Sequence, residues 1–207
     1  MELRRLAASV SLAVCLCATA RATDPHMTAA ERDELIKLLK DSRTEFEKAV
    51  SGLSDAQWKW KPTPERWSVG ECAEHIMLAE GLLFARAQVA IKNDPTVDWE
   101  TATKGKTEIL LQVMAPRVGK AKAPEDIVPS GTLDRAVTMK RFAEARGITL
   151  KFVEDTKLPL KEHLAEHPFP IFNPLNAYQW VLYIPLHNMR HDKQIEEVKA
   201  TPGFPAK

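Results

Sequence analysis

The chain has 207 residues, of which 44% are hydrophobic, and its 29 basic and 28 acidic side chains give a formal net charge of +1 at pH 7. A chain of this length can form one domain with a sizeable core. The balanced charge argues against nucleic acid or an anionic membrane surface as a partner, because both select a basic excess.

Residues 1–22 have the layout of a secretory signal peptide. Two arginines precede an apolar run, and small residues follow it. The run is too short for an ordinary membrane span, and no later stretch is apolar for long enough to form a stable one. We therefore expect cleavage near Ala20 or Ala22, export to the periplasm or the medium, and a mature domain over 23–207. An uncleaved amphipathic anchor is the alternative.

Four helices are predicted by apolar residues at helical spacing, and prolines separate them. Their expected bounds are about 27–51, 68–92, 132–155 and 176–199. The first two begin with capping boxes, TAAE at 28–31 and SVGE at 68–71, in which a hydroxyl and a carboxylate bond free backbone N–H groups. The pattern indicates an all-α domain, most simply a four-helix bundle.

Long loops precede the third and fourth predicted helices. The first covers 93–131, with a short helix expected at 106–114, and the second is a proline-rich segment that ends near 175. Connections of this length in a compact domain are often binding loops or lids.

The last predicted helix carries two histidines on its core-facing side. Helical spacing places His187 and His191 on one apolar stripe with Trp180, Ile184, Ile195 and Val198. Burying two neutral imidazoles costs free energy unless their nitrogens are bonded, and one metal ion can bond both. Ordinary hydrogen bonds to neighbouring helices are the alternative. Because Asn188 follows His187, this is not the metalloprotease motif, which has a glutamate there.

A third histidine, His75, lies in the second predicted helix. It is at the edge of the apolar stripe of that helix, and a bundle brings the inward residues of two helices together. Three neutral imidazoles with open positions describe a catalytic metal site rather than a closed structural one.

The two histidine-bearing segments resemble those of the DinB-like superfamily. The pattern W-S-x-x-E-x-x-x-H is matched at Trp67, Ser68, Glu71 and His75. The pattern H-x-x-x-H-x-x-Q-I is matched at His187, His191, Gln194 and Ile195. The resemblance implies a four-helix bundle with an unusual helix order that is often dimeric. It also implies a divalent metal, zinc, nickel, manganese or iron, held by His75, His187 and His191.

The same resemblance implies a metal-dependent enzyme that acts on a small-molecule substrate. Members include thiol-dependent transferases and isomerases, and others are suspected hydrolases, so a transferase or a hydrolase is expected here. A non-catalytic metal-binding or stress-associated bundle is the alternative. The predicted export signal argues against a cytosolic thiol as cosubstrate.

Four other side chains are candidates for the site. Glu71 lies one turn before His75 and is a candidate catalytic base, although it also completes the capping box. Cys72 is either a fourth ligand or nucleophile, or a small core residue. His163 and His167 lie in the proline-rich connection, where they either line the mouth of the site or face solvent.

Overall fold

A computed structural model describes residues 23–119 and 121–207, and the predicted signal segment lies outside these ranges. The elements in the described ranges, in chain order, are α1 (Ala29–Val50), α2 (Asp55–Lys59), α3 (Val69–Lys92), α4 (Trp99–Ala102), α5 (Lys106–Val113), a 3₁₀-helix (Glu125–Ile127), α6 (Arg135–Asp155), β1 (Leu164–Ala165), β2 (Leu175–Asn176) and α7 (Ala177–Lys199). The two short strands pair antiparallel, with Leu164 opposite Asn176.

The prediction of an all-α four-helix bundle is confirmed. The long helices α1, α3, α6 and α7 begin and end within three residues of the predicted bounds. Both predicted capping boxes form, at Thr28 with Glu31 and at Ser68 with Glu71. The helix expected at 106–114 is α5, whereas α2 and α4 were not predicted, because each is too short to show a helical period.

The order of the long helices around the bundle differs from their order in the chain. Helix α7 packs between α1 and α3, and α6 packs between the same two helices on the other side. The successive long helices α1 and α3 are therefore diagonal, and so are α6 and α7. This arrangement makes neighbours of α3 and α7, the helices that carry His75, His187 and His191.

A buried ion pair links all four long helices. Arg146 of α6 donates through Nε and Nη2 to the two carboxylate oxygens of Glu80 in α3, each at 2.8 Å. Its guanidinium also donates to Leu39 O and Ser42 Oγ of α1 and to Asn188 Oδ1 of α7. These charge-assisted bonds offset the cost of removing both charges from water.

The connection 93–134 joins two neighbouring helices, α3 and α6, and yet it is the longest in the described chain. A charged residue from each histidine-bearing helix holds it. Glu74 of α3 accepts hydrogen bonds from the N–H groups of Ser130 and Gly131 and from the Ser130 hydroxyl. Arg190 of α7 donates to the backbone carbonyls of Val113, Val118 and Gly119.

Helix α7 continues through Pro185, and most of its side chains are buried. Within the described ranges, no helix is both long enough and apolar enough to cross a bilayer. The core therefore surrounds α7, which is the element that carries two of the three candidate ligands.

We expect Arg146→Met to lower the free energy of unfolding by about 3–5 kcal/mol, because the variant leaves the Glu80 carboxylate buried without its cation. Urea denaturation followed by circular dichroism measures the change. The matched control is Lys151→Met in the same helix, which removes an exposed pair with Asp155 and should cost less than about 1 kcal/mol. Equal effects of the two variants would contradict the central role of Arg146.

Candidate metal centre

The structure brings His75 of α3 together with His187 and His191 of α7. The three residues are 2%, 9% and 8% exposed, respectively. One ring nitrogen of each lies within 4.8 Å of those of the other two. The Nε2 atoms of His75 and His191 are 3.1 Å apart. Three histidines from two helices thus form one buried group.

Helix α7 positions two of these side chains by its regular geometry. Asn176 caps its N-terminus and exchanges hydrogen bonds with Gln179, so the helix has a defined start. His187 and His191 lie on successive turns of the same face, and their ring centroids are 4.5 Å apart. The third ring, from His75, is 4.9 Å from His187 and 4.3 Å from His191.

A backbone carbonyl determines the tautomer of His75. The Nδ1 atom lies 2.7 Å from Ile127 O, at the end of the 3₁₀-helix. Because a carbonyl oxygen only accepts, Nδ1 carries the proton and Nε2 presents a lone pair to the other imidazoles. Burial lowers the pKa of His75 to about 4, although the bond to Ile127 opposes the change. The ring is therefore neutral at pH 7.

Gln194 determines the tautomer of His191 in the same way. The Nδ1 atom of His191 lies 2.9 Å from Gln194 Oε1, and Arg117 Nη1 lies 3.0 Å from the same oxygen. A guanidinium only donates, so the amide atom between the two side chains is the oxygen, and Nδ1 of His191 is the other donor. Burial lowers the pKa of His191 and of His187 well below the ordinary value.

These tautomers fit a metal ion. Two unprotonated Nε2 atoms, from His75 and His191, face each other at 3.1 Å, which is repulsive unless a cation lies between them. Two nitrogens that share one ion at about 2.0–2.1 Å stand about 2.9–3.4 Å apart. Neither ring nitrogen of His187 has a hydrogen-bond partner among the described residues, so it too is available. Neutral imidazole is a common ligand of divalent transition metals.

The surroundings of the three imidazoles are aromatic. The Trp67 ring lies 4.7 Å from that of His75 and 6.2 Å from that of His191, and Tyr183 lies 6.0 Å from His187, all between centroids. In the described part of the chain, no cysteine or carboxylate joins the group. An ion held there would keep coordination positions that no described side chain fills.

Glu71 and Cys72 lie outside this group. The Glu71 carboxylate accepts hydrogen bonds from the Ser68 N–H and from Lys61 Nζ, which supports its role in the capping box. No described contact joins it to the imidazoles, so its catalytic role stays a prediction. Cys72 is fully buried in the apolar core, and burial raises the pKa of its thiol, as expected for a core residue rather than a nucleophile.

The two loop histidines are not simply exposed to solvent. His163 is half-buried, and its Nδ1 donates to Asn93 O at 2.8 Å. His167 is 7% exposed, accepts the N–H of Phe169 at Nδ1, and stacks on Trp180 with centroids 5.0 Å apart. Burial lowers the pKa of His167 to about 4.

Three residues that hold the site were missed from the sequence. Ile127 and Arg117 belong to the long connection 93–134; Ile127 O faces His75 Nδ1, and Arg117 binds the amide of Gln194. Glu74 holds the end of that connection through Ser130 and Gly131. The sequence signal nearest to them is the glutamine of the last-helix pattern, Gln194, which from the sequence is expected to make only a polar contact between helices.

Comparison with known proteins identifies the family of the chain. The sequence model described as DinB superfamily matches residues 38–195. The chain belongs to the DinB superfamily. The uncharacterized protein YuaE of Bacillus subtilis (strain 168) is 29% identical over 170 residues, which cover 79% of this chain and 96% of YuaE. The resemblance that was noted in the sequence is therefore confirmed.

A solved structure independently supports the four-helix-bundle fold. YfiT from Bacillus subtilis matches with a TM-score of 0.59 and 14% identity, covering 89% of this chain and 93% of YfiT. YfiT is described as a probable metal-dependent hydrolase with an unusual four-helix bundle topology. At this identity the likeness shows the fold alone.

We expect His167 to make the protein less stable as the pH falls. Its pKa is about 4 when folded and about 6.5 when unfolded, so between these values the unfolded chain binds a proton that the folded chain does not. Between pH 7 and pH 4.5, the free energy of unfolding should fall by about 2–3 kcal/mol more in the wild type than in His167→Phe. Urea titrations at both pH values measure this difference, and parallel losses would contradict it.

Proposed function

We propose that this chain is a metal-dependent hydrolase that binds one divalent cation through His75, His187 and His191. One observation carries the proposal: His75 and His191 direct unprotonated Nε2 atoms at each other across 3.1 Å. Their Nδ1 atoms are held as donors, by Ile127 O and Gln194 Oε1. Protonation of a ring would also remove the repulsion, but burial opposes it. A metal ion removes the repulsion and leaves both hydrogen bonds in place.

The number of ligands favours catalysis over a structural role. Structural sites for zinc are closed by four protein ligands, whereas the group here has three in the described chain. A divalent ion with open positions supplies Lewis acidity and lowers the pKa of a bound water. The residues of this chain hold neutral nitrogens in place, and these nitrogens belong to buried rings that lie beside the rings of Trp67 and Tyr183.

Hydrolysis is favoured over thiol transfer by two considerations. The solved relative YfiT is described as a probable metal-dependent hydrolase. Residues 1–22 predict export, and an exported protein would lack the reduced low-molecular-weight thiols of the cytosol. The alternative is a non-catalytic metal-binding protein. It differs from the proposed hydrolase in one prediction, which is that metal is bound but no substrate is turned over.

We expect the purified full-length protein, after incubation with zinc, manganese, nickel or iron(II) and removal of the excess, to retain about one equivalent of at least one of these metals. His75→Ala, His187→Ala and His191→Ala should each retain much less, as measured by plasma mass spectrometry. The matched control is His26→Ala, because His26 is exposed and distant in the chain from the group. Retention of metal by all three variants would contradict the ligand assignment.

If coordination positions are open, exogenous anions should reach the metal. We expect azide to change the visible absorption of the cobalt-substituted protein, and we expect the zinc form to hydrolyse a small ester such as p-nitrophenyl acetate faster than the metal-free form does. His187→Ala should lose this excess rate and His26→Ala should keep it. Bound metal with neither an azide response nor a rate excess would favour the non-catalytic role.

A further inference from the structure

We propose that Arg117 is a positioning residue that keeps His191 in the tautomer able to bind metal, and that it acts through the amide of Gln194. The inference rests on the metal-binding function proposed above. In the described structure, the Arg117 side chain makes no hydrogen bond to any of the three imidazoles. Its Nη1 donates to Gln194 Oε1 at 3.0 Å, and the same oxygen accepts from His191 Nδ1 at 2.9 Å.

The amide of Gln194 has two orientations with opposite consequences for His191. With Oε1 toward the ring, Nδ1 is the donor and Nε2 has a free lone pair. With the amide turned over, its NH₂ group would donate to Nδ1, and the proton of His191 would move to Nε2. The first state can bind a cation at Nε2, and the second cannot.

The second orientation would also remove the repulsion between the Nε2 atoms of His75 and His191 without a metal ion. A protonated Nε2 on His191 would donate to the lone pair of His75 Nε2, which is 3.1 Å away. That separation is suitable for an N–H···N hydrogen bond. His75 cannot exchange roles in this arrangement, because its Nδ1 faces Ile127 O, which has no proton to donate. The tautomer of His191 is therefore determined by the orientation of the Gln194 amide.

Arg117 selects the first orientation, because a guanidinium facing the NH₂ group would place donors against donors. The loop that carries Arg117 does not depend on this side chain for its path. Arg190 binds the carbonyls on both sides of Arg117, at Val113, Val118 and Gly119. Backbone bonds from Arg117 N to Met114 O and from Val118 N to Val113 O close the turn.

A substitution at Arg117 is thus expected to change the side chain and leave the loop in place. Arg117 has a φ of 61°, a conformation that costs arginine and methionine, both unbranched at Cβ, a similar amount, so Arg117→Met adds little backbone strain. Methionine keeps the length of the stem and removes every donor.

If Arg117 acted only through its positive charge, Arg117→Met would bind metal more tightly, not more weakly. Its positive charge lowers the pKa of His191, and it would repel a bound cation, so loss of the charge should tighten metal binding. Loss of the tautomer preference should weaken binding instead. The sign of the change therefore separates the two explanations.

The test measures zinc affinity by competition with a chromophoric chelator, on the full chain. We expect Arg117→Met to weaken zinc binding about tenfold, as is usual when a residue that orients a ligand is lost. In a Gln194→Glu background, both side-chain oxygens accept, so no orientation needs to be selected. There we expect Arg117→Met to leave the affinity unchanged or to tighten it.

Glu197→Gln is the matched control. The carboxylate of Glu197 accepts from Arg117 Nε at 2.9 Å and makes no hydrogen bond to Gln194 in the described structure. If Arg117 acted only by tethering the loop to α7, this variant would weaken zinc binding as much as Arg117→Met does. We expect it to change the affinity less than about twofold, with Arg117 still bonded to Gln194.

The second readout needs no metal. In the metal-free protein labelled with ¹⁵N at histidine, long-range proton–nitrogen correlation spectra distinguish the protonated from the unprotonated nitrogen of each ring. We expect His191 to be protonated at Nδ1 in the wild type and in Glu197→Gln, and at Nε2 in a substantial fraction of Arg117→Met.

Several results would overturn the inference. One is that Arg117→Met binds zinc as tightly as the wild type, or more tightly, when Gln194 is present. Two others are that Arg117→Met loses as much zinc affinity in the Gln194→Glu background as with Gln194, or that Glu197→Gln loses as much zinc affinity as Arg117→Met does. The last is that the His191 tautomer is unchanged in Arg117→Met. If the wild type binds no divalent metal, the proposed function fails, whereas the tautomer spectra still test the role of Arg117.

Discussion

The ion pair of Arg146 with Glu80 is the interaction on which the bundle depends most. A guanidinium removed from water needs nearly all of its N–H groups bonded, and here the acceptors come from α1, α3 and α7. This requirement sets the rotation of each helix about its own axis. Asn188, one of the acceptors, is next to His187, so the same contact that joins the helices also directs the adjacent side chain towards α3.

The candidate metal centre depends on the connection 93–134 as much as on the helices. The helices supply three imidazoles, but Ile127 and Arg117 of the connection determine which nitrogens bear protons. In turn, Glu74 and Arg190 hold the connection, and they lie next to His75 and His191 in sequence. Each histidine-bearing helix therefore supplies both a nitrogen for the cation and an anchor for the segment that orients that nitrogen.

Much of the fold could be predicted from the sequence, because helix periodicity and capping boxes are local signals. Thr28 and Ser68 marked two helix starts, and the stripe around His187 and His191 identified the buried face of α7. His75 was proposed as the third imidazole from its place at the edge of an apolar stripe, and the family resemblance strengthened that choice, since spacing within one helix says nothing of its neighbour. Arg117 and Ile127 could not be predicted, because they act from irregular backbone, and the path of such a segment is determined only by tertiary contacts.

The diagonal placement of α1 and α3 has a consequence for the growing chain. These are the first two long helices to be synthesised, and they do not pack side by side, so they cannot form a stable hairpin. Each must wait for α6 and α7, and α7 is the last element made. The apolar stripes of the N-terminal half then remain uncovered until synthesis is nearly complete, when binding by a chaperone can compete with aggregation. The bundle is thus expected to fold as one unit after its C-terminal helix has emerged.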